Sequence, residues 1–374
     1  MARIIYFPWN NFRFTSSSTK SRYQNYFNFD FGLWGIPDGV SKARYGKDSS
    51  ELLIHTASII SDGPLLGEET ENFETVTDKR SVDILETVNK KNKKLAIFWS
   101  GGIDSSVMIS SILKNWSTHD QKNVVVFLND YSLVENPIFF HKVIKKKLKY
   151  QLFNNLKSFP KLNNYIVTDG ELADKLWIPQ MAINYSYIYG DNSAQNLWSN
   201  EKDNFIDFLT TNYLKDSATK IIERIEYNIQ SLNFEKLSLK DILGWINFNF
   251  FWQQIYLSRY QLLTDPSPES FKEYKENYIP WYCSNDYQKW AWAPSTRAMI
   301  NQSGLKKYKD TAKKYIHGIV KDKIFEYKTK VPSKLSSTNF YSENIIFEDG
   351  SVIKTNSDNY EELFYQHLLE RKNA

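Results

Sequence analysis

The sequence predicts an α/β fold: a parallel sheet flanked by helices, with a small α+β region ahead of it and a mostly helical part behind it. Three observations predict this. Lys94–Trp99 (KLAIFW) and Asn123–Leu128 (NVVVFL) are short unbroken apolar runs, the pattern of strands covered on both faces. Between them lie a glycine turn, Ser100-Gly101-Gly102, and a helical spacing of apolar residues at Val107, Ile109, Ile112, Leu113 and Trp116. A third run, Asn164–Thr168, leads straight into the polar, acidic segment Asp169–Leu176. Strand, glycine turn, helix and strand make a βαβ unit, and such units build parallel sheets.

The elements follow in order. Residues 1–90 alternate short apolar-aromatic stretches with Ser, Asn, Gly and Asp clusters, which reads as short strands and loops with some helix around Ser49–Ser61. The acidic stretch Gly67–Thr75 reads as a surface loop, and 80–93 as a helix whose closing lysines suit the negative end of its dipole. After the second strand, Asn136-Pro137 is a helix start with Asn as cap and Pro at the first position, and 136–157 reads as helix. From 180 to 330 the pattern is helical, with amphipathic stretches near 202–214, 219–231, 238–263 and 306–320, the third broken by Asp265-Pro-Ser-Pro268. Ile345–Lys354 carries Asp349-Gly350 between two apolar runs, a hairpin signal, and Asn359–Arg371 reads as a closing helix.

Composition narrows the function. The chain has 374 residues, with 47 Lys plus Arg against 43 Asp plus Glu and a net charge of +4. So slight an excess gives no support for a dedicated nucleic-acid coat, and no nucleic-acid partner is expected. There is one cysteine, Cys283, so neither an internal disulfide nor a cysteine-built zinc site is available. No run of about 18 apolar residues suggests a membrane span, and the start has no signal-peptide pattern, so a cytoplasmic location is expected. The five histidines show no metal-ligand spacing. Aromatic residues make up 16% of the chain, which reads as a large aromatic core.

Two motifs carry the chemistry. In Ser100-Gly101-Gly102-Ile103-Asp104-Ser105-Ser106, the glycines let the backbone turn tightly and come close to a ligand. The helix that follows aims its free N–H groups and positive dipole end at the loop, a phosphate-binding arrangement. The loop lacks the Gly-Lys-Ser/Thr ending of the Walker type and the third glycine of dinucleotide folds. In Asp169-Gly170-Glu171-Leu172-Ala173-Asp174, two carboxylates three residues apart at a helix start share a face and suit a divalent cation together with Asp104.

The first motif resembles the PP-loop of the ATP pyrophosphatases, enzymes that split ATP between the α- and β-phosphates and transfer AMP to a substrate oxygen. The second resembles the Ser-Gly-Glu-Gly-Ser/Ala-Asp-Glu run of asparagine synthetases and β-lactam synthetases, with Glu171 and Asp174 on that family's Glu and Asp. Asp169, Leu172 and Lys175 depart from it. The late run Lys328-Thr329-Lys330 is similar to the family's Arg-x-Lys.

The resemblance covers about residues 91–335, leaving 1–90 as a small region of unknown role and 336–374 as a tail. It implies a PP-loop (HUP-like) domain and an ATP-dependent, AMP-forming carbon–nitrogen ligase that uses ATP and Mg2+. On that pattern Ser100, Gly101, Gly102, Asp104, Ser105 and Ser106 hold the phosphates. Asp104 and Asp174 bind the metal, Glu171 orients the reacting groups or contributes to the metal site, and Lys330 neutralises charge. Ile97, Phe98, Phe127, Leu128, Asp169 and Gly170 lie near adenine and ribose. The partners it implies are a small carboxylate substrate and a nitrogen donor. Ala2 stands where full-length asparagine synthetases have the nucleophilic cysteine of a glutaminase domain, so release of ammonia from glutamine by that route is not expected. Two other readings stay open: adenylation of a nucleobase, and a nucleotide-binding protein without catalysis.

Overall fold

The computed structural model describes residues 4–6, 70–153, 159, 162–177, 180–190, 193–212, 222–223, 226, 237–244, 256, 259–260, 263–265, 267–302, 309–321, 344–347 and 352–354. The chain divides into two compact units. One comprises Thr56–Trp177 and Glu273–Phe340, and the other Met1–His55, Ile178–Lys272 and Tyr341–Ala374.

The first unit is α/β. Helix α1 (Phe73–Lys91) starts at Asn72, whose side chain accepts the Thr75 N–H at 2.9 Å. It therefore begins earlier than the apolar spacing predicts, because an asparagine cap recruits residues 73–75 out of the acidic stretch. Strand β1 (Lys94–Phe98) leads through the glycine turn to α2 (Ile103–Asn115), and β2 (Val124–Leu128) leads to the short helix α3 (Asp130–Glu135). Asn136 caps the next helical segment through the Phe139 N–H at 3.0 Å, with Pro137 first in the turn, as its sequence predicts.

That segment ends at Lys147, short of the predicted 157, and the chain turns into β3 (Lys149–Leu152). All four β3 residues are exposed, so the strand has none of the apolar alternation by which a sequence announces one. Strand β4 (Tyr165–Thr168) completes the sheet. All the pairings are parallel and the order is β3-β2-β1-β4. The order reverses direction between β1 and β4. In open parallel sheets such a switch point opens a crevice at the carboxyl ends of the strands.

The core explains the aromatic content. Phe98 and Phe127 pair across β1 and β2 and gather Phe153, Phe159 and Tyr165 within about 6 Å. On the other side, Phe73 of α1 packs on Trp177, Trp290 and Tyr287, the last two from α4 (Asn285–Trp292). Helix α5 (Asp310–Val320) is seated by Tyr315, whose hydroxyl donates to Asp78 of α1, where Lys114 of α2 also binds. Burial pushes the Asp78 carboxyl up, but hydrogen bonds from Lys114, Tyr315 and Asn115 outweigh it and hold the group below its ordinary value.

In the second unit, Ile4–Tyr6, Asn344–Phe347 and Val352–Lys354 form a three-stranded antiparallel sheet with Asn344–Phe347 in the middle. The last two strands are those of the predicted hairpin; its Asp349-Gly350 turn lies outside the described residues, as does Asn359–Arg371. Helices Gln180–Tyr189 and Trp198–Asn212 pack through Tyr185, Tyr189, Phe205 and Phe208.

Candidate functional site

The two motifs meet at the carboxyl ends of β1 and β4, either side of the switch point. Gly101 has φ +81, a left-handed conformation that side chains resist. A Cβ there would stand 2.6 Å from the Ser132 carbonyl oxygen and 2.8 Å from the Glu135 Cβ. The turn is thus wedged against α3, and only glycine fits.

Serines brace the loop from within. The Ser105 hydroxyl accepts the Ser100 N–H at 3.2 Å and donates to the Gly102 carbonyl at 3.3 Å. The Ser106 hydroxyl donates to the same carbonyl at 2.8 Å and accepts the Trp99 indole N–H at 3.0 Å. Both serines are buried, so their hydroxyls shape the loop, while Ser100 and Gly102 are half-buried at its rim.

Helices α1, α3 and α4 start on an Asn or Ser side chain, but α2 starts on Gly102 with no side-chain cap. The positive end of the α2 dipole thus lies at the glycine turn with no side chain of the capping residue on it, which suits an anion.

The second motif follows β4 as a single 3₁₀ turn, Glu171–Lys175, instead of an α-helix. Positions three apart eclipse in 3₁₀ geometry, so Glu171 and Asp174 fall on one side, as the spacing predicts. Asp169 shapes the turn: it is 2% exposed, and its Oδ1 accepts the Tyr278 hydroxyl at 2.9 Å and the Glu171 N–H at 3.3 Å. Gly170 presses on α2, where an added Cβ would lie 3.1 Å from both the Asp104 Cβ and the Ser105 nitrogen. A side chain at position 170 would push the two loops apart.

Between the loops sits a residue the sequence reading did not single out. The Lys309 ammonium, just before α5, binds Asp104 and also Asp174, the latter at 2.7 Å. Its side chain is 2% exposed, against 23% for Asp104 and 42% for Asp174. The ammonium is thus covered by protein, and the two carboxylates are the more exposed members of the cluster. Lys309 follows Lys306-Lys307-Tyr308, and nothing local distinguishes it from its neighbours in the sequence.

A second tier holds this arrangement. The Tyr282 hydroxyl donates to the Asp104 carbonyl at 2.9 Å. Burial, with the Asp104 charge adding to it, pushes the Tyr282 hydroxyl well above its ordinary value, so it stays a donor. Arg80 of α1 fixes the segment carrying Tyr282, donating to the carbonyls of Trp281 at 2.7 Å, Pro280 at 2.8 Å and Cys283 at 3.3 Å. That segment also extends the sheet past β4, the Ile279 N–H donating to the Val167 carbonyl at 2.8 Å.

Of the remaining predicted site residues, Ile97, Phe98, Phe127 and Leu128 are buried in β1 and β2. The rings of Phe98 and Phe127 are spent on the aromatic core, which leaves backbone groups as their means of meeting a base. Lys328 and Lys330 lie outside the described residues.

The pair Asp104 and Asp174 fits a magnesium ion by its chemistry. Both are hard oxygen donors, close enough to share one cation, and magnesium uses one or two carboxylates together with substrate phosphates. Among the described residues no group of three or more His, Cys, Asp or Glu is placed to hold a metal ion by itself. No described helix is long and apolar enough to cross a membrane.

No family model, no curated protein and no solved structure matches the chain.

Proposed function

We propose that the chain is an ATP-dependent, AMP-forming carbon–nitrogen ligase of the asparagine synthetase type, built on a PP-loop domain. It adenylates a small carboxylate, and ammonia or an amine then displaces AMP. The observation that carries the reading is the meeting of an uncapped glycine loop with an acidic turn across the switch point, where Asp104 and Asp174 share one cation.

The catalytic work is positioning and electrostatics, as in other phosphoryl chemistry. The loop at Ser100, Gly101 and Gly102 and the first turn of α2 hold the phosphates through backbone N–H groups. Ser105 and Ser106 keep that loop in shape. Asp104 and Asp174 would hold a magnesium ion, which would supply charge neutralisation for the phosphates. By the family resemblance Glu171, on the same side of the turn as Asp174, orients the reacting groups or contributes to the metal site. Tyr282 and Asp169 keep the two loops in register. By the family resemblance Lys330 adds positive charge at the α-phosphate.

Carboxylate oxygen attacks the α-phosphorus, the bond to the β-phosphate oxygen breaks, and pyrophosphate leaves. The nitrogen nucleophile then attacks the acyl carbon, AMP leaves with the carboxylate's former oxygen, and the nitrogen gives up one proton.

The test is release of pyrophosphate and AMP from MgATP, with and without aspartate and ammonium. The proposal expects both products, in equal amounts, only when the carboxylate is present. ADP and phosphate as products would overturn it. So would ATP binding without cleavage across a panel of amino-acid and peptide carboxylates. Release that instead requires RNA would move the acceptor to a nucleobase.

A further inference from the structure

Lys309 sits in an unusual place for a lysine. Its side chain is almost wholly buried and its ammonium lies between two carboxylates more exposed than itself. Its backbone is left-handed, φ 54 and ψ 33, which costs a residue with a side chain about 1–2 kcal/mol. Strain of this kind persists where the surroundings over-determine it, and it clusters at switching and binding sites. Helix α5, which begins at the next residue, is fixed by Tyr315 on Asp78. A swing of Lys309 is therefore confined to its flexible four-carbon stem.

We propose that Lys309 is a resident counter-ion, occupying with its ammonium the place between Asp104 and Asp174 that a divalent cation would take. The nucleotide-free protein thus denies that pair to metal. The cation enters with nucleotide, whose phosphates draw the ammonium away from the carboxylates and towards themselves. This rests on the reading above, but its core is a competition between one ammonium and one cation that can be measured without catalysis.

The physical argument is one of charge. With Lys309 in place, two negative charges already share one positive charge, and a hard, reluctantly dehydrated ion gains little by displacing it without phosphate ligands. A triphosphate changes the balance, because it brings its own oxygens to the metal and offers the ammonium a new anionic partner. The arrangement also keeps the two carboxylates from repelling each other before substrate arrives.

The experiment is Mn2+ binding to the full chain, followed by electron paramagnetic resonance of the free ion, in wild type, Lys309→Met and Lys309→Gln without nucleotide. Folding is checked by circular dichroism. The variants are expected to bind one Mn2+ at least about tenfold more tightly than wild type, equivalent to about 1.4 kcal/mol. Adding Asp174→Asn to either variant is expected to remove the gain. Equal affinity in wild type and both variants would overturn the proposal, as would a gain that survives Asp174→Asn. Lys309→Gln, close in length and still able to donate, keeps the test alive if Lys309→Met does not fold. A final arm adds α,β-methylene-ATP to wild type, which is expected to bring Mn2+ in with it. Failure of that arm alone, with the variants binding metal as expected, would count against the nucleotide reading and leave the counter-ion standing.

Discussion

Gly101→Ala is expected to cut the proposed pyrophosphate release sharply and to destabilise the sheet unit. A residue with a Cβ at φ +81 costs about 1–2 kcal/mol in backbone strain. The Cβ itself would lie 2.6 Å from the Ser132 carbonyl and 2.8 Å from the Glu135 Cβ, both on α3, which follows β2 directly. The backbone oxygen cannot swing aside as a flexible side chain would. Overpacking of this kind adds about 1–3 kcal/mol. The loop would relieve the clash by moving away from α3, which would disturb the proposed phosphate site. The expected result is a drop in pyrophosphate release of at least about 100-fold, the scale of losing one preorganised donor set, with an unfolding free energy lower by about 2–4 kcal/mol in urea titration. Wild-type turnover in Gly101→Ala would show that this loop does not hold the phosphates.

Asp104→Asn separates charge from shape. Asparagine keeps the size of the side chain and one acceptor oxygen, so Lys309 retains a partner at position 104 and an ion pair with Asp174. Asp104 is partly solvent-exposed, and the stability cost is expected to stay near about 1 kcal/mol, that of a weakened hydrogen bond. The catalytic cost is of another order. One of the two carboxylates available to a metal is lost, and pyrophosphate release at saturating ATP is expected to fall by at least about 100-fold. Raising the Mg2+ concentration is expected to recover part of it. Circular dichroism and pyrophosphate release, measured on the same preparation, check both halves. Unchanged release would remove Asp104 from the mechanism.

Only part of the site was legible in the sequence. The glycine loop and its helix were, because a tight turn after a buried strand demands glycine and an unbroken apolar run marks the strand. The 169–174 run was legible in part: Glu171 and Asp174 are spaced to share a side, but the helix start expected there is a 3₁₀ turn. Strand β3 was not: it lies at the sheet edge, all of it exposed, and carries no alternation. The start of α1 was missed because the residues of its first turn look like loop until Asn72 caps them.

Lys309 was illegible for a different reason. Its role comes from a contact with residues 205 and 135 positions away, and one lysine in a lysine-rich run carries no mark of that. Tyr282 and Arg80 are similar cases. A tyrosine among many and an arginine on a helix acquire meaning only when the 280–283 segment is laid along the edge of β4. Sequence patterning reports local turns and burial. It does not report which distant side chain completes a charge cluster.

The most direct test of the central claim is exchange of labelled pyrophosphate into ATP. If the site forms an acyl-adenylate reversibly, label enters ATP when aspartate or another accepted carboxylate is present and no nitrogen donor is added, and Gly101→Ala and Asp104→Asn do not support it. Label entering ATP with no carboxylate, or pyrophosphate release that occurs without any exchange and only when the nitrogen donor is present, would contradict an adenylated intermediate.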